Sequence, residues 1–210
     1  IRNNHYSIRE HFRNIIMSKL ETNQVDPATG TTLTLGTSGD TIAIPSGVTI
    51  ANSGTATGFG ETNTSEFLAY MTSDQTGIGD ASWTKVTFNA ESYDPDGVFD
   101  NSSNYRFTAP SAGKYMLYTN IVAYDASTDI EDFTLALYKN GANAVECAWN
   151  KNSGGRLRKA NQTISIVLDL SSSDYIEVYV NINTVDGGTT NIESQSGIIQ
   201  NYFGGYKLIT

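Results

Sequence analysis

Two stretches in the C-terminal part of the chain alternate apolar and polar residues without a break. Ile164, Ile166, Leu168 and Leu170 recur at every second position, and so do Ile176, Val178, Val180 and Ile182. A period of two puts all the apolar side chains on one face of an extended strand, which fits a half-buried sheet and not a helix. The same texture runs from Glu66 onward. Segments such as "EFLAYM", "WTKVTFN", "NYRFTA", "GKYMLYTNIVAY", "DFTLALYKNG", "AVECAWN", "NQTISIVLDL", "DYIEVYVNIN", "TTNIESQ" and "NYFGGYKLIT" are divided by Gly, Asp, Asn and Ser turns. That many short strands at this spacing predict an all-β sandwich or jelly roll over 66–210. Asn140-Gly141 is the strongest tight-hairpin signal in the chain.

The preceding residues are written differently. Ser7-Ile8-Arg9-Glu10 fits a capping box, and Ile8, Phe12, Ile15, Ile16 and Leu20 follow at helical spacing. The pattern predicts a short N-terminal helix within 1–22, for oligomerisation or for anchoring on another protein. A helix of about 13 residues is not stable alone in water, so its stripe needs a partner. Residues 23–65 are rich in Thr, Gly, Ser and Asn, a composition that rarely builds a core. Within them "GDTIAIPSGVTIANSG" alternates again, with Ile42, Ile44, Val48 and Ile50 apolar and Pro45-Ser46-Gly47 as a corner. A lone hairpin is marginal in water. Three copies wound about one axis would bury these residues as a β-rich trimeric stem.

Charge and composition exclude several functions. The chain carries a formal charge of −9, concentrated after residue 65, whereas residues 1–20 hold Arg2, Arg9, Arg13 and Lys19 against Glu10 alone. An acidic body does not suit a nucleic-acid backbone. No apolar run approaches the ~20 residues of a membrane span, and no secretory signal is read at the start. The single Cys147 excludes an intramolecular disulfide and is expected to be a packed strand thiol. Both histidines, His5 and His11, precede the β region. No Ser-His-Asp or Cys-His arrangement can therefore come from the β region alone, and no enzyme is expected.

Two clusters remain as candidates. Asp125 and Asp129 are weak calcium candidates in one acidic turn, against the simpler reading of a solvated loop. Lys151, Arg156, Arg158 and Lys159 crowd "KNSGGRLRK" on an otherwise acidic domain. They form a candidate receptor loop for anionic host glycans or an acidic neighbour, or else an ordinary charged loop.

The stretch "WTKVTFNAESYDPDGVFDNSSNYRFTAPSAGKYMLYTNI" resembles complement-type globular heads, the family joined structurally to tumour necrosis factor. Phe88, Asp94 and Phe99 match its signature, as do Phe107, Gly113 and Tyr115, with "LYKNG", "LDLSSSDYIEVYV" and "YFGGYKL" following in the family's order. Phe107 lies one residue late, Leu117 stands where a Phe is usual, and collagen-like repeats are absent from the sequence. The resemblance implies a ten-stranded jelly roll over 66–210 that assembles as a homotrimer. Phe67, Tyr70, Tyr115, Phe203 and Tyr206 are then candidates for the head core or the threefold interface.

"GDTIAIPSGVTIANSGTATGF" ahead of such a head is similar to virion structural proteins of tailed phages, marine ones especially. That resemblance implies a non-enzymatic virion protein: a head or tail fibre, or a capsid decoration. The N-terminal helix would dock on another virion protein and the jelly roll would face outward for host-surface glycan adhesion. The alternatives are a soluble complement-like recognition or ligand module and, less favoured, a polysaccharide-degrading spike.

Overall fold

The computed structural model describes residues 25, 27–54, 65–127, 129–150 and 157–208. The chain divides into two compact units, Ile1–Ala56 and Thr57–Thr210. The N-terminal helix predicted within 1–22 lies outside the described residues. The described residues of 25–54 form turns and no strand, so no strand of the expected β-rich stem lies among them. Glycines at positive φ, Gly36, Gly39 and Gly47, supply these turns. The Val48 N–H donates to the Pro45 carbonyl at 3.2 Å, which makes Pro45-Gly47 a tight turn without flanking strands.

The second unit is all β. Among the described residues its strands are β1 (Glu66–Tyr70), β2 (Gln75–Ile78), β3 (Thr84–Lys85), β4 (Ala90–Tyr93), β5 (Phe99–Asp100), β6 (Arg106–Thr108) and β7 (Gly113–Tyr124). They continue with β8 (Ile130–Lys139), β9 (Ala142–Asn150), β10 (Lys159–Leu170), β11 (Tyr175–Thr184), β12 (Thr190–Ile192) and β13 (Tyr202–Lys207). The ten segments expected from the alternation all carry strands. The other three, β2, β4 and β5, are two to four residues long and owe their existence to pairing rather than to a pattern of their own.

The first sheet runs β2-β12-β7-β13-β1-β4, with β10 on the other side of β7; the second runs β5-β6-β11-β8-β9, with β3 on β11. Every pairing between these strands is antiparallel. This is a jelly-roll sandwich whose two inner faces close on one core. β7 is the organising strand of the first sheet: β10 pairs with all of it, from Lys159↔Tyr124 to Leu170↔Gly113, while β13 and β12 share its other edge. Asn140 and Gly141 both have positive φ, 52° and 81°, the geometry of the two-residue turn that joins β8 to β9.

The core is aromatic at one end. Phe67 stacks on Phe107 at 4.9 Å and on Phe99 at 5.4 Å, and meets Phe203 edge-on at 5.0 Å. Phe88 and Tyr115 extend the cluster. Leu117, Ile121, Leu135, Val178 and Ile182 continue it along the sandwich, all fully buried. Cys147 packs half-buried against this core. Its thiol donates to the side-chain carbonyl of Gln162 at 3.3 Å, and the Gln162 amide donates to the Phe133 carbonyl at 3.1 Å, which ties β10 to the second sheet.

Candidate functional site

Alternation along β7, β13 and β1 sorts the predicted interface residues into two groups. Phe67, Tyr115 and Phe203 point inward and are fully buried. Tyr70 and Tyr206 lie on the opposite face of the same sheet; Tyr70 is half-buried and Tyr206 is exposed. On that outward face Tyr70 sits opposite Tyr202, Leu68 opposite Gly204, and Tyr206 opposite Met116. Tyr118 faces Gly204 across the next pairing. A Cβ on Gly204 would lie 2.6 Å from the Tyr118 ring. The glycine is what lets that ring lie flat across the β13 backbone.

The result is a continuous aromatic surface. Tyr118 meets Tyr202 edge-on at 6.2 Å, and its hydroxyl lies 3.4 Å from that of Tyr93. Burial, and next the hydrogen bond with Tyr93, hold the Tyr118 phenol well above the usual tyrosine range, so it stays neutral. Val167 carries the apolar strip onto β10, where it is opposite Met116. Tyr93, Tyr206 and Val167 are each about two-fifths exposed. A contiguous patch of this kind on a sheet face marks an association surface. Sequence reasoning reached Tyr70 and Tyr206 but not Tyr93, Tyr118, Tyr202 or Met116. The available signal was the phase of "KYMLYTN", which sets Met116 and Tyr118 against the buried Tyr115 and Leu117.

The signature residues upstream have structural work. Phe88, Phe99 and Phe107 belong to the aromatic core, and the Asp94 carboxylate accepts the backbone N–H groups of Val98 and Phe99 at 2.9 and 2.8 Å. That fixes the turn delivering Phe99 to Phe67. Asp100 accepts from the Ser102, Ser103 and Asn104 backbones and from the Asn104 amide. The backbone donors of Ser103 and Ser102, followed by that amide, drive its carboxyl far below the usual range. These acidic groups close turns.

The Asp125 carboxylate likewise closes a turn, accepting the Ser127 N–H at 2.7 Å and its hydroxyl at 2.8 Å. Among the described residues no three His, Cys, Asp or Glu side chains are grouped to hold a metal ion. In the basic cluster, Lys151 and Arg156 lie outside the described residues. Arg158 donates to the Ser127 carbonyl at 3.3 Å, and Lys159 pairs with Glu193. The Lys159 ammonium is the main cause that lowers the Glu193 carboxyl. These two cations thus tie the start of β10 to its surroundings. No helix among the described residues is long and apolar enough to cross a membrane.

Among curated proteins none matches the chain. Among solved structures, the Eiger TNF of S. frugiperda is 15% identical, with a TM-score of 0.49 over 69% of this chain and 90% of that one. Murine APRIL is 12% identical, with a TM-score of 0.48 over 68% of this chain and 98% of that one. The family model of the C1q domain matches residues 67–208, the whole sandwich from the first core phenylalanine to the end of the last strand. With Phe88, Asp94, Phe99 and Phe107 each placed in its core or its turns, the chain belongs to the C1q domain family.

Proposed function

We propose that this chain is a homotrimeric fibre protein of a tailed-phage virion, non-enzymatic, with its jelly-roll head displayed outward for attachment to the host surface. The coarse part of that reading follows from the family: its heads are recognition and ligand modules, and relatives form homotrimers. The observation that carries the trimer is the outward aromatic face built by Tyr70, Tyr93, Tyr118, Tyr202 and Tyr206, which one chain leaves uncovered. A threefold axis along this face would bury it three times over. The stem supports the same assembly. Ile42, Ile44, Val48 and Ile50 are each about half exposed in the single chain, and a trimer would cover them. The helix in 1–22, with its basic residues, would dock on another virion protein.

Light scattering of the purified chain should return about three times 22.7 kDa; a monomeric mass would overturn the trimer. Adsorption competition separates the adhesion role from a purely structural one. Purified protein should slow attachment of the particle that carries it, and an absence of competition would leave a decorative role.

A further inference from the structure

The outer face of the second sheet holds a groove that the trimer reading does not use. It lies over β8, β9 and β11, beneath the loop that carries Trp83, and encloses about 540 Å³, within the ~300–1,000 Å³ range of small-ligand sites. The chain has two tryptophans. Both are lining residues, 66 positions apart in sequence, and they remain 40% and 37% exposed. Trp149 is in register with the buried Phe133, so it alternates away from the face that carries Asp132 and Asn150, and Trp83 is the indole that stands over that face. A half-exposed indole beside a polar row suits a ligand with an apolar face.

Trp83 is held in place. Its ring meets Tyr138 edge-on at 5.7 Å, and Tyr138 packs on Tyr179 at 4.3 Å. The loop before it is clamped to β11: the Ala81 N–H donates to the Ile182 carbonyl at 2.8 Å, and the Asp80 carboxylate accepts the Thr184 N–H at 2.7 Å and its hydroxyl at 2.9 Å. Ala81 itself stands at φ 49°, a conformation costly for a non-glycine residue and kept here by those bonds.

The polar part of the groove is equally organised. Asp132 on β8 is in register with Asn150 on β9 and Asn183 on β11, and its carboxylate accepts an N–H from each amide. One N–H of each asparagine is thereby used, which leaves its amide carbonyl and second N–H for a ligand. A row of amides and a carboxylate beside aromatic faces matches a sugar, whose hydroxyls need paired donors and acceptors and whose C–H face is apolar. Asp132 and Glu146 line it and no cation is among its described lining residues, which favours an uncharged sugar over an anionic one.

We infer that this groove binds an uncharged oligosaccharide, a neutral hexose or N-acetylhexosamine, stacked on Trp83 and hydrogen-bonded by Asn150 and Asn183. The inference deepens the adhesion reading above and rests on it, and it places recognition away from the "KNSGGRLRK" cations. Because Trp83 is one of the two indoles in the chain, intrinsic fluorescence reports occupancy of the groove, and calorimetry follows binding where that ring is replaced. The full chain should be titrated with N,N′-diacetylchitobiose, lactose and 3′-sialyllactose. A saturable change in tryptophan emission with chitobiose or lactose is expected, weakened at least about tenfold in Trp83→Ala and less in Trp83→Phe. Circular dichroism should show both variants folded. Asn183→Ala provides a second test that leaves both indoles in place, and it should weaken the same sugar. Neutral binding that survives all three substitutions, or binding of sialyllactose alone, would overturn the groove as the site. No response to any sugar from a protein that still competes for adsorption would sink the groove and leave the adhesion role standing; failure of both would remove the adhesion reading itself.

Discussion

Ile164, Ile166, Leu168 and Leu170 in the head and Ile42, Ile44, Val48 and Ile50 in the stem are written in one period-two pattern, and they meet different fates. The first set lies in β10, which has a partner at each of its twelve positions along β7, and its side chains are buried or packed against the core. The second set has no partner strand among the described residues and stays about half exposed. Only local contacts shape it. One is the Asp40 carboxylate holding the Thr37 N–H at 2.7 Å; another is the turn at Pro45. Alternation thus states which face must be covered and says nothing about where the cover comes from. In the head the chain covers itself; in the stem, on the trimer reading, sister chains do.

The strongest way to break this contrast is to damage the self-covered region. Phe67→Ala removes a ring that touches Phe99, Phe107 and Phe203. It should destabilise the head by about 3–5 kcal/mol, a large share of the ~5–15 kcal/mol of a typical domain. A chemical-denaturation midpoint that barely moves would mean that the aromatic cluster is not the head's core. The matching change in the stem is Ile44→Asp. Because Ile44 is about half exposed and belongs to the first compact unit, the head should unfold within about 0.5 kcal/mol of the unsubstituted protein. Protease cutting within 25–54 should quicken in the assembled protein. If head stability fell as far as with Phe67→Ala, the two regions would not be independent in the way the contrast requires.

The smallest effect belongs to the turn chemistry of the head. Asp174 accepts from the Asn140 amide at 2.8 Å, pairs with Lys139 at 2.9 Å and accepts the Ser171 N–H at 2.8 Å. These partners, the Asn140 amide first, lower its carboxyl to about 2. A depressed folded-state value stabilises at pH above the ordinary carboxylate range and is lost as pH falls toward the folded value. The pair lies at the surface with both side chains partly in contact with water, and solvent screening keeps the effect small. Asp174→Asn should lower the melting temperature slightly near neutrality, with the gap closing between about pH 4 and pH 2. A gap that grew on acidification would refute the assignment.

How much of this was legible in the sequence depended on whether a residue's neighbours were local. The long strands β7, β10 and β11 could be read from their own alternation. β2, with the sequence "QTGI" and a single buried residue, could not, since only its pairing with β12 makes it a strand. The same limit applied to the sites. Phe67 and Phe203 announce burial by composition, but an outward Tyr118 and an inward Tyr115 look alike until the register against β13 is known. Trp83 and the Asp132, Asn150 and Asn183 row gave no joint signal, because a loop and three strands bring them to one face only in the folded sheet. The N-terminal anchor was read from a helical stripe, and its residues lie outside those the structure describes.

One pairing described above also sets an order in time. β13, the last of the sandwich's described strands in chain order, lies between β1 and β7 and touches both, from Glu66↔Tyr206 to Tyr202↔Asn120. Until it arrives, the first sheet is split, and β1 and β4 have no route to the rest of it. The outward face lacks Tyr202 and Tyr206 for the same interval. A growing chain therefore cannot complete this outward face until β13 has left the ribosome. On the trimer reading, closure of the sheet and recognition of sister chains become successive events, which protects a fold built mostly of long-range pairings during the stage when it is most prone to misassembly.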